Sequence, residues 1–128
     1  MPRSYAEATN KVFQERRFET DGSRDVSGIV EEVGPGPAAA GQFKKGDEVF
    51  AMADPTRDGA YADYIAIHGT ALALKPKSLH HVRAAAGPVG ALTAWRSLFD
   101  LGQLRSGQRI LIHGGTGGVG HFAVQPAK

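Results

Sequence analysis

Apolar positions recur along this chain first with the period of strands and later with the period of helices. From Val26 to Val33 apolar and small residues run into Gly34-Pro35-Gly36-Pro37, a strand followed by a forced loop. Phe43 and the turn Lys44-Lys45-Gly46-Asp47 precede a second strand-like run, Glu48 to Met52. A third spans Ala60 to Ile67, where Tyr61, Ile65 and Ile67 form a better core face than Ala62, Tyr64 and Ala66. Short strands between Gly-rich turns predict a small antiparallel barrel or sandwich over about Asp25 to Lys75. Upstream, Ser4 and Glu7 have capping-box spacing, and Tyr5, Ala8, Val12 and Phe13 fall near one face, which predicts a short helix over 4–18. Thr20 to Arg24, with Asp21-Gly22, reads as the turn that ends it.

After residue 80 the period lengthens. His81 to Ala86 is alanine-rich, and Val89 to Leu101 places Leu92, Trp95, Leu98 and Phe99 three or four apart, so two helices are expected, divided or kinked at Gly87-Pro88. Beyond Gly102 the run Arg109 to His113 reads as a short apolar strand leading directly into Gly114-Gly115-Thr116-Gly117-Gly118-Val119-Gly120. Within that loop Gly115-x-Gly117-x-x-Gly120 has the dinucleotide fingerprint spacing. Its glycines permit a tight turn, close backbone approach to a pyrophosphate and close packing of the following helix. Ile110, Leu111 and Ile112 supply a buried-strand run ahead of it, and Val119, Phe122, Ala123 and Val124 can start a helix whose amides face the phosphates. The same residues also suit a tight strand-to-helix turn with no ligand. No Gly-Lys-Ser/Thr follows, which disfavours a nucleoside triphosphate loop. A complete fingerprint unit takes about 30 residues, with an acidic ribose ligand about 20 positions on, and the sequence ends at Lys128 before either is complete. Pro126 would cost roughly 3 kcal/mol inside a helix starting near Gly118, so the helix must stop before it.

Composition removes several chemistries. The 128 residues are 41% hydrophobic and 22% charged, enough for a packed core and too apolar for a disordered tail. Fifteen basic residues against thirteen acidic leave +2, and Arg16-Arg17 and Lys44-Lys45 are the only adjacent basic pairs, so no phosphate-tracking stripe and no nucleic-acid partner is implied. The absence of Cys excludes a disulfide, a thiolate zinc site and a cysteine nucleophile. No apolar run approaches the roughly 18 residues of a membrane span, and no secretory hydrophobic centre is present, so a cytoplasmic chain without a membrane partner is expected. Arg3, Lys11, Arg16 and Arg17 lie early, as in a mitochondrial presequence, but Glu7, Glu15 and Glu19 argue against one. There is no Gly-x-Ser-x-Gly elbow and no Ser/His/Asp spacing that establishes a triad. Asp54, Asp58 and Asp63 read as turn and surface residues. Tyr61 and Tyr64 read as half-buried strand aromatics, and the catalytic residue is left unassigned.

Five segments carry a family resemblance in order: DVSGIVEEVG at 25–34, FKKGDEVFAM at 43–52, GAYADYIAI at 59–67, GALTAW at 90–95 and LIHGGTGGVGHFAVQPAK at 111–128. Over Asp25 to Lys128 the chain resembles the medium-chain dehydrogenase/reductase superfamily, in its zinc-independent quinone oxidoreductase and enoyl-reductase-like branch. The resemblance implies a mixed α/β fold. A divergent segment (1–24) would precede part of a GroES-like antiparallel β-barrel (25–80), connecting helices (81–106) and the first strand, loop and helix of a Rossmann-type domain (107–128). It implies hydride transfer from NADP(H), in preference to NAD(H), to a small-molecule quinone or enone. Gly115, Gly117, Gly118, Val119 and Gly120 match the pyrophosphate loop, and Thr93 matches a position beside the cofactor, although a helix hydroxyl bonded to a preceding carbonyl explains Thr93 equally well.

Zinc-dependent members carry Gly-His-Glu where this chain has Ser23, Arg24 and Asp25, and His68, His80, His81, His113 and His121 have no HExxH spacing, so no metal is expected. His80-His81 reads as an exposed helix-start pair, and His113 and His121 as neighbours of the glycine loop. Relatives have several strands and an NPxD segment upstream of the position of Asp25, and more of both domains downstream, so the chain reads as truncated. The alternative to an oxidoreductase is therefore a noncatalytic GroES-like binding or interaction module without cofactor. Exposed strand edges leave homo-oligomerisation open.

Overall fold

The computed structural model describes residues 9–14 (as backbone), 24–34, 42–54 and 59–128. Five strands, β1 (Thr9–Gln14), β2 (Asp25–Val33), β3 (Glu48–Met52), β4 (Tyr64–His68) and β5 (Leu72–Leu74), form one sheet in the order β4-β1-β2-β3-β5. Every pairing is antiparallel, and β1 carries a register shift between Lys11 and Val12 where it meets β2. Helices α1 (His81–Ala85), α2 (Pro88–Trp95) and α3 (Gly120–Val124) follow. α2 runs on into a π-helical stretch, Arg96–Leu101, closed by the Gly102 amide bonding Ser97 O at 3.0 Å. The contacts divide the chain into two compact units, one ending at Ala86 and one starting at Gly87.

In the first unit only the 3-10 turn Gly69–Ala71 joins the two outer strands, β4 and β5. Four residue steps reach at most about 14 Å. The outer strands of a flat sheet of this size would lie about 19 Å apart, so the sheet must curl. Among the described residues no ladder joins β4 to β5, and the sheet is curved and open where a partial barrel was expected. Val26, Val30 and Val49 are fully buried, and Ala51, Ala53, Ala60, Ile65, Ile67 and Leu72 complete the core. Phe43, from the turn before β3, packs against it. Short α1 lies on β2 and β3.

The first unit departs from two expectations. Thr9–Gln14, inside the segment read as a helix over 4–18, is a strand between β2 and β4. Pairing on both edges satisfies its backbone donors and acceptors, and that tertiary gain outweighs a weak helical spacing in a segment with β-branched Thr9 and Val12. The rest of 4–18 lies outside the described residues, as does most of the turn assigned to Thr20–Arg24. Tyr61 does not join Ile65 and Ile67 on the core face: it precedes β4 and is exposed, while neighbouring Ala60 is buried instead.

In the second unit Pro88 occupies the first turn of α2, where its missing amide costs nothing. Ala94 and Leu98 pack with Ala123 of α3, and Phe99, Leu104, Ile112, Phe122 and Ala127 close around them. Residues 109–113, expected as a strand, are not one. A buried parallel strand needs neighbours on both sides, and among the described residues this segment has none. Leu111 is accordingly 78% exposed. α3 stops at Val124, ahead of Pro126, so the proline does not break it.

Candidate functional site

The glycine loop is built by two close approaches and one opening. The amide of Gly117 bonds Gly114 O at 2.9 Å, a turn entered through Gly114 at φ +68°. α3 then begins, with His121 N bonding Gly117 O at 3.1 Å. A Cβ on Gly120 would lie only 2.7 Å from Gly114 C and 2.8 Å from Gly115 Cα, so no side chain fits there without moving the loop. A Cβ on Gly90 of α2 would sit 2.7 Å from Gly118 O, so that helix also needs glycine to approach the loop. At Gly118, by contrast, a Cβ would meet nothing within 4 Å. The backbone is approachable there.

Among the described residues no backbone carbonyl accepts from the amides of Gly118 and Val119. Val119 is the residue before α3 and is partly exposed. Gly117 is tighter than Gly118, with a Cβ position 3.2 Å from Gly114 O, and a Cβ on Gly115 would make only ordinary contact with Val124 at 3.5 Å. Thr93 is exposed on α2, three residues beyond Gly90, which places it on the neighbouring part of the face that meets the loop. The structure thus brings Gly115, Gly117, Gly118, Val119 and Gly120 together within the second unit, with Gly90 of α2 against them, while Thr93 stands exposed on α2. A cradle with free amides, an open glycine and two steric glycines fits a pyrophosphate.

A second polar group was not visible in the sequence. Ser27 on β2 is buried, and its Oγ donates to Val49 O at 2.9 Å. His81 Nδ1 lies 2.8 Å from that Oγ, and His81 Nε2 lies 3.1 Å from Glu48 Oε1. Glu48 Oε2 pairs with Lys75 Nζ at 3.2 Å, and the buried Lys75 ammonium also donates to Leu79 O at 2.6 Å. The hydrogen bond from Lys75, aided by its charge and by His81, holds the Glu48 carboxyl below the ordinary carboxylate range, against a smaller opposing effect of desolvation. His81 is therefore not half of an exposed pair, as expected, but a link from α1 to β2 and β3, while His80 is exposed. The Ser–His–Glu order imitates a hydrolytic triad. Ser27, however, has its proton committed to Val49 O and is only 2% exposed, so it cannot meet a substrate.

The remaining candidates stay apart. Tyr61 and Tyr64 are exposed, Asp54 and Asp63 have partners, and Asp58 lies outside the described residues. Among the described residues no three His, Asp or Glu side chains converge as a metal site. No helix among them is long and apolar enough to cross a membrane.

No protein-family model matches the chain. Human NAD(P)H oxidoreductase RTN4IP1, mitochondrial, is 43% identical over 109 residues, covering 82% of this chain and 27% of that protein. The 2-methylene-furan-3-one reductase of Solanum lycopersicum is 40% identical over 110 residues (81% of this chain, 27% of that one). The chloroplastic quinone-oxidoreductase homolog of Spinacia oleracea is 38% identical over 118 residues (88% and 35%). A solved alcohol dehydrogenase superfamily protein from Novosphingobium aromaticivorans superposes with TM-score 0.77 at 30% identity, over 94% of this chain and 41% of that one. A mycobacterial protein solved in complex with NADPH gives TM-score 0.76 at 26% identity, over 94% and 41%. The chain is homologous to part of a medium-chain dehydrogenase/reductase. It spans about a quarter of the length of the first of these curated relatives, 27%. For a medium-chain dehydrogenase/reductase homologue, the mixed fold and antiparallel sheet are shared with its structural neighbours.

Proposed function

We propose that this chain supplies a GroES-like part (25–80) and the opening glycine loop (107–128) of an oxidoreductase that reduces a small-molecule quinone or enone with NADP(H) in preference to NAD(H). The observation that carries the reading is the opening at Gly118 beside two uncommitted amides, held between Gly90 and Gly120. Named relatives support it: an NAD(P)H oxidoreductase, a quinone-oxidoreductase homolog and a furanone reductase. When bound, the nicotinamide supplies a hydride to the electron-poor carbon of the acceptor. The chain's own contribution is binding and orientation: the amides of Gly118 and Val119 receive the pyrophosphate, and the Thr93 hydroxyl borders it from α2. The cytoplasm is the proposed compartment, and sheet edges β4 and β5 are the proposed self-association surface.

One observation favours a second reading, a noncatalytic binding module: residues 109–113 pair with no strand among those described, and Leu111 stands exposed. Titration with NADPH and NADH, followed by nicotinamide fluorescence, separates the two. Gly118→Asp is the control, because its side chain enters open space and leaves the fold intact while placing negative charge where phosphate approaches. Saturable NADPH binding that Gly118→Asp abolishes supports the oxidoreductase reading. A folded wild-type chain that binds neither nucleotide overturns it in favour of the module.

A further inference from the structure

The glycine loop is set by clamps on two successive carbonyls. His121 Nδ1 lies 2.9 Å from Gly117 O, the same oxygen that accepts from the His121 backbone amide at 3.1 Å. A carbonyl only accepts, so Nδ1 must carry the proton and donate. The ring is held in place by Phe122, whose centroid lies 4.1 Å away at a tilt of 41°. In a trans peptide the C=O and the following N–H point in opposite directions. Drawing Gly117 O onto α3 therefore turns the Gly118 amide away from α3, and among the described residues no backbone carbonyl accepts from it. The next peptide behaves likewise: Gly118 O faces α2, 2.7 Å from a Cβ position on Gly90, so the Val119 amide points away from α2.

We infer that His121 is a positioning residue for the cofactor pyrophosphate, acting through the Gly117–Gly118 peptide. The inference rests on the NAD(P)H reading above. Successive outward amides make a concave anion nest, and their value lies in being aimed before the anion arrives. The His121 side chain reinforces the aim of the first, adding a second donor to the carbonyl that the His121 backbone amide already holds. Two variants separate the donor from the bulk: His121→Asn places an N–H donor at the position of Nδ1, and His121→Leu fills the same space without one.

The experiment is a 1H–15N titration of the full chain with sodium pyrophosphate and, separately, with NADPH. In the wild type the Gly118 and Val119 amide signals are expected to shift saturably with both probes. His121→Leu should weaken both affinities about fivefold, the worth of one ordinary hydrogen bond, and His121→Asn should stay within about twofold. In the ligand-free wild type, imidazole 15N spectra should show Nδ1 of His121 protonated, a readout that needs no variant to fold. A wild-type response that His121→Leu leaves at full affinity overturns the inference alone, as does His121→Asn binding as weakly as His121→Leu, or an unprotonated Nδ1. A wild type whose Gly118 amide ignores both probes overturns the cofactor reading and the inference with it.

Discussion

The two units of this chain solve the burial problem differently. The sheet unit encloses three fully buried valines, Val26, Val30 and Val49, between strands whose backbone groups are paired along both edges. The unit from Gly87 onward buries mostly small residues: Ala94 and Ala123 meet with Leu98, while Trp95, Leu101, Ile110 and Leu111 remain exposed. Apolar area removed from water is the main source of folding free energy. The sheet unit therefore holds its shape by area, whereas the second unit depends on close backbone approach, with glycines at 90 and 120 standing where any Cβ would collide.

If that contrast is right, the largest single effect should come from filling one of those approaches. Gly120→Ala drives a methyl into the backbone of Gly114 and Gly115, neither of which is a flexible side-chain end. The expected cost is about 3 kcal/mol, falling on the second unit alone. Hydrogen exchange of amides 89–101 and 120–125 should accelerate while those of β2 and β3 keep their protection. Equal loss in both units would break the contrast. Val30→Ala is the reciprocal test. It leaves a cavity in the sheet core at roughly 2 kcal/mol, read as a lower urea midpoint of the sheet, with the protection of α2 unchanged.

How much of this was legible in sequence follows the same physical line. β2 and β3 could be read because each is an apolar run ended or introduced by turn residues, and such strands carry their boundaries locally. Thr9–Gln14 could not, because its state is decided by β2 and β4, which lie on either side of it in the sheet. Residues 109–113 show the converse: the run has strand character, but a strand exists only with a neighbour. The loop glycines were legible as a motif. That Gly118 is the open position and Gly120 the steric one needed the structure, since both look alike in a row of letters. The contacts joining Ser27, Glu48 and His81 left no sequence signal, because they bridge 54 positions (Ser27 to His81) and 33 (His81 to Glu48).

The smallest expected effect sharpens the contrast at low pH, and it concerns that network. Glu48 is half-exposed and held below its ordinary value chiefly by the Lys75 hydrogen bond. A carboxyl whose folded value is depressed contributes stability that is fully present above its unfolded value, here 4.5, and that is lost as pH falls through the folded value. The sheet unit should thus lose a modest increment of stability on acidification from about pH 5 downward, with α1 loosening as the His81–Glu48 contact weakens. Glu48→Gln keeps a hydrogen-bonding side chain but removes the titration, so its urea midpoint should already be lowered at pH 7 and should fall less between pH 5 and pH 3 than that of the wild type. The second unit has no Glu and a single Asp, Asp100, which is exposed and paired to Arg96 at 3.9 Å. Exchange of the α2 amides should change much less over the same interval, once corrected for intrinsic rates, and an acid response confined to α2 would reverse the assignment of the titrating group to the sheet.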